Sequence, residues 1–160
     1  MATACSGCSS ALLARPEGAA REQGDETPEA SRAARLHRRE VDGELLDDID
    51  TTLGHLRQDA RCSRLAAPLA EALAAARRAR QYLLEGAASD PALPGSVAFN
   101  LMMLLGYLCG GWAMARSALA ASAALAAGRG DPAFLEAKLV TAGFYADHLL
   151  PRTGALLASV

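Results

Sequence analysis

The chain has 160 residues, of which 51% are hydrophobic, 4% aromatic and 21% charged, which leaves room for one domain. Alanine dominates and no sustained run of β-branched residues occurs, so the composition favours helix over sheet. The formal net charge of -2 excludes the strongly basic character that nucleic-acid binding proteins usually have. We expect an all-α protein that binds no nucleic acid.

The four cysteines do not predict a disulfide framework or a metal site. Cys5 and Cys8 form a single C-x-x-C with no second ligand pair after it, so their role is left open. Cys109 lies in an apolar run and is expected to be a small buried side chain. Free thiols fit a reducing compartment, and no secretory signal is recognisable, so we expect a cytoplasmic protein.

The first 40 residues differ in composition from the rest of the chain. They have no sustained apolar period, are rich in Ala, Ser, Gly, Glu and Arg, and contain Pro16 and Pro28. Such a segment buries too little apolar surface to offset the entropy of ordering it. The prediction is a disordered N-terminal arm over residues 1–40 and a bundle of about four helices over residues 41–160.

The apolar spacing predicts two helices before the long apolar run. Helix one is expected at about residues 43–59, where apolar residues recur at steps of three and four: Leu45, Ile49, Leu53 and Leu56. Helix two is expected to begin near Pro68 and to end at about Glu85, with Gly86 at the C′ position.

A third helix is predicted over residues 96–127, with Ser96 as its cap and Arg116 as its single charged residue. Its predicted seam is Leu101, Leu105, Leu108, Trp112, Ala115 and Leu119. Trp112 is expected to anchor a core or an interface. Because this helix is apolar on most sides, it belongs in the centre of a bundle or in a membrane.

The stretch 97–115 is long enough to span a bilayer, and Gly106-x-x-x-Gly110 matches a helix-pairing motif of membrane proteins. Asn100 and Arg116 shorten the apolar stretch, and the amphipathic neighbouring helices need an apolar partner. A central bundle helix is therefore favoured. One membrane span at about 97–115 remains the alternative.

Helix four is predicted to start with Asp131 as N-cap and Pro132 at the first helical position, and Pro151 is expected to kink it. Tyr145 and His148 lie three residues apart, so they are neighbours on this helix. They are expected to border the core rather than to bind a ligand. The predicted inner seam is Leu135, Leu139, Ala142, Ala146 and Leu149.

One stripe of helix one carries acids and a histidine, which could hold a metal with His148 from helix four. Its members are Glu44, Asp48, Thr51, His55 and Asp59. Metal sites in bundles draw carboxylates from four helices and use Glu-x-x-His pairs, neither of which occurs here. An exposed acidic face is the favoured interpretation, so no catalytic, cofactor or metal residue is predicted. A free-standing ligand-binding bundle stays a second alternative.

Four motifs in order resemble the acetyl-CoA dehydrogenase-like C-terminal domain of the acyl-CoA dehydrogenase family. They are Gly110-Gly111-Trp112-x-x-x-Arg116, Gly128-x-Gly130-Asp131-x-x-Phe134, Ala137-Lys138, and Phe144-Tyr145-Ala146-x-His148-Leu149-Leu150-Pro151. The resemblance covers roughly residues 40–160. It implies an accessory domain of a flavoenzyme of fatty acid metabolism.

In that family a glutamate and FAD on a separate body carry the chemistry, and none of those residues maps onto this chain. The resemblance therefore implies an architectural role, non-catalytic by itself, in which the domain packs on a dehydrogenase body or forms a homo-oligomer. A split-enzyme subunit, a truncated remnant and a mis-called gene start are all compatible with that pattern.

Overall fold

The structure, a computed structural model, describes the backbone of residues 28–160 and the side chains of residues 43–160. All regular elements in this part of the chain are helical, as the composition predicted. In order they are α1 (Pro28–Gln58), a 3-10 turn (Ser63–Leu65), α2 (Ala66–Gly86), α3 (Leu93–Ala126), α4 (Pro132–His148) and α5 (Arg152–Leu157). The predicted four-helix bundle is confirmed, with α5 as a short addition.

The chain divides into two units, residues 1–37 and residues 38–160. Of the first unit, only the helical backbone of residues 28–37 is described. The predicted disordered arm therefore falls mostly outside the described residues, as do Cys5 and Cys8. Helix α1 begins at Pro28 instead of near residue 43, since its Ala, Arg and Glu residues favour helix without an apolar period.

In the second unit α3 packs against α2, α4 and α5, and one stripe of the helix, which includes Phe99, Met102, Gly106 and Ala113, stays exposed. The predicted face of α1 is correct, because Ile49, Leu53 and Leu56 are fully buried, and on α2 Leu69 and Leu73 are fully buried as well. Full burial of each such side chain is worth roughly 1.5–3 kcal/mol relative to exposure. On α4 the predicted inner residues Ala142 and Ala146 are buried as well.

The buried face of α3 is rotated from the predicted seam. Leu104 and Leu108 are fully buried, whereas Leu105, predicted at the bundle centre, is only half-buried. A helix that is apolar on nearly every side has no period to fix its rotation. Close packing fixes it instead, with small residues facing the neighbouring helices: Gly111, Ala115, Ala118 and Ala121.

The helix ends follow local capping chemistry. The carboxylate of Asp131 accepts a hydrogen bond from the backbone N–H of Ala133 at 3.0 Å, which confirms the predicted cap of α4. Pro151 does more than kink that helix: α4 ends at His148 and α5 begins after the proline. A proline cannot donate the backbone hydrogen bond that would continue α4.

Two predicted helix ends are wrong. Ser96 lies inside α3, with its hydroxyl donating to the carbonyl of Leu93 at 2.8 Å. The helix starts at Leu93, with Pro94 in its first turn, and in the turn before it Asp90 accepts a hydrogen bond from the N–H of Ala92 at 2.9 Å. Gly86 is the last residue of α2 rather than its C′ residue, and the positive φ angles among the described glycines are at Gly128 and Gly130.

Two adjacent glycines let α4 and the residues after it approach α3. A Cβ at Gly110 would collide with the Tyr145 ring, 2.8 Å from its Cζ, and a Cβ at Gly111 would collide with Leu150. Gly106, which completes the small-x-x-x-small motif, has open space around it. The motif therefore serves helix packing through Gly110, while Gly106 faces solvent.

Among the described helices, α3 is long and apolar enough to cross a membrane by length and composition, and 22% of its most apolar window is buried. A single such helix is weak grounds for a span, because core helices of soluble proteins pass the same criterion. That α3 is a bundle helix of a soluble protein rather than a membrane span stays a prediction.

Substitution of the two neighbouring leucines tests the rotation of α3. Leu104→Ala removes a fully buried side chain and is expected to lower the free energy of unfolding by about 2–5 kcal/mol. Leu105→Ala, at a half-buried position, is the matched control with a clearly smaller loss. Urea unfolding followed by circular dichroism measures both, and equal losses would mean that the assigned rotation is wrong.

Substitution of two glycines one helical turn apart tests the close approach of α4. Gly110→Ala is expected to destabilise the domain by about 1–3 kcal/mol, because the added methyl group overpacks the contact with Tyr145. Gly106→Ala should raise stability by roughly 0.5–1 kcal/mol, since alanine is the better helix former and the site is open. Thermal melts of both variants check the opposite signs.

Candidate functional site

The acidic stripe predicted on α1 is a solvated face. Glu44, Asp48, Thr51 and His55 are exposed, and His148 is exposed on α4. Within residues 43–160, no group of three or more His, Cys, Asp or Glu side chains is arranged to hold a metal ion. The stripe therefore lacks the converging ligands that a bundle metal site requires.

Asp59, the last member of that stripe, caps the chain where α1 ends. Its carboxylate accepts hydrogen bonds from the N–H groups of Arg61 at 2.9 Å and Cys62 at 3.1 Å. A hydrogen bond from Ser122 is the main cause of its lowered pKa, and the two backbone N–H groups lower it further. Asp59 is thus a structural acceptor that links this turn to α3.

The described cysteines are neutral thiols. Burial, together with the charge of Asp59, raises the pKa of Cys62 to about 11. Burial also raises the pKa of Cys109, which is half-buried rather than fully buried as predicted. Because the thiolate is the nucleophile, neither side chain is activated for covalent or redox chemistry.

Tyr145 and His148 have separate environments. The Tyr145 hydroxyl donates to the backbone carbonyl of Tyr107 at 3.2 Å, and burial raises its pKa. His148 is exposed and contacts the Phe144 ring, with the ring centroids 4.6 Å apart. Arg152 donates to the Tyr107 hydroxyl at 3.2 Å. The pair therefore borders the core, and Tyr145 acts as a packing residue between α3 and α4.

Trp112 forms the floor of a groove between α1 and α3, which we call the Trp112 groove. Its indole N–H donates to the Thr52 hydroxyl at 2.8 Å, and that hydroxyl donates to the carbonyl of Asp48 at 3.0 Å. The predicted role of Trp112 as an anchor with a partnered N–H agrees with this geometry. The groove is open to solvent and has a volume of about 410 Å³, and its lining is Asp48, Thr51, Thr52, His55, Trp112, Arg116 and Leu119.

Arg116 is the cation of this groove. Its guanidinium carbon lies 5.1 Å from the centroid of the Trp112 ring, within the range of a cation–π interaction. Thr52 holds the indole in place by its hydrogen bond, whereas the Arg116 side chain beside it is exposed. Sequence reasoning identified the Trp-x-x-x-Arg spacing but not its partner, because Thr52 is distant along the chain.

A second surface, the outer face of α4, is apolar and exposed. Phe134, Val140 and Phe144 have exposed fractions of 58%, 66% and 59%. Lys138 lies on the same helix with its ammonium nitrogen 5.1 Å from the Phe134 ring centroid. Val140 and Phe144 lie four residues apart and are neighbours on the helix, while Phe134 lies in its first turn.

An apolar cavity opens between α1, α2 and the first half of α3. Its volume is about 140 Å³, and it is lined by Leu45, Leu46, Ala76, Arg80, Leu83, Leu84, Leu101 and Leu105. Leu105 is half-buried because its side chain lines this cavity. The described part of the chain offers no converging set of polar groups inside it, so the cavity can hold an apolar group without orienting it.

Comparison with known proteins gives two matches. The family model described as acetyl-CoA dehydrogenase C-terminal like matches residues 45–160. The chain is also 44% identical over 110 residues to 3-methylmercaptopropionyl-CoA dehydrogenase of Ruegeria pomeroyi. That alignment covers 67% of this chain but only 18% of the relative, so most of the relative has no counterpart here.

The hydrogen bond below the Trp112 groove can be tested with adjacent threonines. Thr52→Val removes the acceptor for the indole N–H and should lower the free energy of unfolding by about 1 kcal/mol. It should also shift the fluorescence of Trp112, the single tryptophan. Thr51→Val is the control, because Thr51 also bonds the carbonyl four residues before it but has no bond to Trp112. Identical spectra and stabilities in both variants would contradict the assignment.

Proposed function

We propose that this chain, which belongs to the acetyl-CoA dehydrogenase C-terminal-like family, is a non-catalytic accessory domain that docks on an acyl-CoA dehydrogenase body. The proposal rests on the family match over residues 45–160 together with the exposed apolar side chains on the outer face of α4. A domain that works alone gains nothing from exposing two phenylalanines and a valine on one helix.

The chemistry belongs to the body in this proposal. The described residues offer neither an activated nucleophile nor a carboxylate in a closed apolar pocket, the two settings that tune side chains for catalysis. FAD and the catalytic base would come from the part of the enzyme that lies outside the matched 18% of the relative. Our domain would contribute stability and correct assembly.

Burial of the α4 outer face would contribute favourable free energy to docking. The exposed faces of Phe134, Val140 and Phe144 supply apolar area that water disfavours by about 25 cal/mol per Å². Phe99 and Met102 add exposed fractions of 68% and 61% on α3. In this proposal the chain forms a homo-oligomer through the same faces when no dehydrogenase body is present. A cytoplasmic location stays a prediction.

Two competing functions each have one observation in their favour. The length and apolarity of α3 favour a small membrane protein with a single span. The apolar cavity of about 140 Å³ beside Leu105 favours a free-standing ligand-binding bundle. Recovery of the chain in soluble form without detergent would remove the first, and the absence of a thermal shift with acyl-CoA would count against the second.

Co-expression tests the proposal. The full chain, carrying an affinity tag, is produced with the Ruegeria pomeroyi dehydrogenase from which the matched region has been deleted. We expect the dehydrogenase body to co-purify with the chain, with FAD bound. If the body is soluble and FAD-loaded but never co-purifies with a folded chain, the proposal is wrong.

A variant pair assigns the docking to α4 in the same assay. Phe144→Asp places a charge in the outer face and should lower recovery of the complex at least tenfold, because the charge would be buried without a partner. Ala67→Asp introduces the same charge at an exposed position in the first turn of α2 and should leave recovery unchanged. Both variants should keep the circular dichroism spectrum of the parent chain.

A further inference from the structure

We propose that the exposed stripe of α3 is a self-association surface, on which a second copy of this chain packs its own α3 in the antiparallel direction. The stripe consists of exposed residues that recur every three, four or seven positions: Gly95, Phe99, Met102, Gly106, Ala113 and Ala120. The inference rests on the homo-oligomer of the proposed function and deepens it by naming the helix, its direction and the residue at the axis.

The first step is that the stripe leaves large apolar side chains in water. Phe99 and Met102 have exposed fractions of 68% and 61%, and residues 93–115 include no charged side chain. The other exposed members of the stripe are glycines and alanines. Because the domain's own helices do not cover this face, contact with another apolar surface is what removes it from water.

The second step is the shape of the stripe, which is complementary to itself. Its N-terminal half carries the large side chains, and its C-terminal half carries small ones. In an antiparallel pair with Gly106 at the twofold axis, Phe99 of one copy lies opposite Ala113 of the other, since both lie seven residues from Gly106. A large side chain therefore meets a small one on each side of the axis, and the same contact occurs twice, as in an isologous interface.

The third step is the glycine at the centre of the stripe. A Cβ added at Gly106 would meet nothing within 4 Å, so packing inside the domain does not require a glycine here. Glycine in a helix interior is less favourable than alanine, because it loses more backbone entropy on folding. At the axis of a helix pair the missing side chain lets the two backbones approach closely.

The fourth step selects the antiparallel direction. Arg116 is the charged residue of α3. A parallel pair would place the two copies of Arg116 side by side and Phe99 against Phe99. In the antiparallel pair Arg116 lies ten residues beyond the axis in each copy, so the two cations are about 30 Å apart along the helices. At that distance salt screens their repulsion.

The length of the stripe sets the expected strength of the pair. From Gly95 to Ala120 it is about 38 Å long, and a helix is about 10 Å wide, so two copies together would bury roughly 800 Å². Interfaces below about 1,200 Å² are typical of weak or transient association. We therefore expect a reversible dimer with a dissociation constant in the micromolar range.

Sedimentation equilibrium of the full chain without detergent measures this constant, and we expect a monomer–dimer equilibrium. Gly106→Leu should raise the constant about tenfold or more, because the new side chains hold the helices apart at the axis. The monomer should keep its circular dichroism spectrum, since the space around Gly106 is open. Met102→Asp should weaken the dimer by burying a charge, and Ala67→Asp, exposed on α2, should dimerise like the parent chain.

Disulfide cross-linking tests the direction of the pair in a chain with Cys5, Cys8 and Cys109 changed to serine. Gly106→Cys should form a covalent dimer under copper-phenanthroline oxidation, because the two introduced thiols meet at the axis. Ala120→Cys is the matched control on the same stripe, and its two copies would lie about 40 Å apart. Cross-linking at both positions, or at neither, would overturn the antiparallel pair.

The remaining outcomes separate this inference from the proposed function. A dimer that Phe144→Asp abolishes and Met102→Asp leaves intact would assign self-association to the α4 outer face, which overturns this inference alone. A chain that stays monomeric and co-sediments with phosphatidylcholine vesicles would make the stripe a lipid contact and also overturn it. Failure of the dehydrogenase body to co-purify, with the α3 dimer intact, would overturn the docking proposal and not the self-association.

Discussion

The absence of side chains at Gly110 and Gly111 is the constraint on which the bundle depends. Tyr145 and Leu150 occupy the space that a Cβ would need at these positions, so α4 and the residues that follow it approach the backbone of α3 closely. This contact fixes the rotation of α3, buries Leu104 and Leu108, and turns Trp112 toward α1. Both candidate surfaces follow from that one orientation.

The two surfaces differ in the physics that they offer a partner. The α4 outer face offers exposed apolar side chains, while the Trp112 groove is polar and carries the exposed cation of Arg116. Neither surface contains an activated acid, base or nucleophile, which is consistent with an accessory role for the domain.

Sequence patterns predicted the elements that local chemistry determines. Asp131 and Pro132 correctly predicted the start of α4, and the spacing of apolar residues in α1 correctly predicted the buried face of α1. The rotation of α3 was not predictable from its pattern, because an apolar helix presents nearly equivalent faces. Its start was misplaced because Ser96 and Asp90 are both residues that favour a helix start, whereas the helix begins at Leu93, with Pro94 in its first turn.

The candidate site was predictable only in part. Trp112 and Arg116 lie four residues apart, so their proximity on one helix could be read from the sequence. Thr52, which accepts the indole hydrogen bond, and His55, which lines the groove, come from α1, and only the fold brings them near Trp112. The exposure of Phe144 and Val140 also required the structure, since a helix sequence does not reveal which of two apolar faces is covered.

The most direct test of the account is the reactivity of a cysteine introduced by Val140→Cys, at a position that is 66% exposed in the domain. Its rate of alkylation by a maleimide would be measured by peptide mass spectrometry in the chain alone and in its complex with the dehydrogenase body. The account predicts rapid alkylation in the chain alone and a strongly reduced rate in the complex, with a cysteine from Ala67→Cys unaffected. Equal rates at position 140 in both states would show that the α4 outer face is not the docking surface.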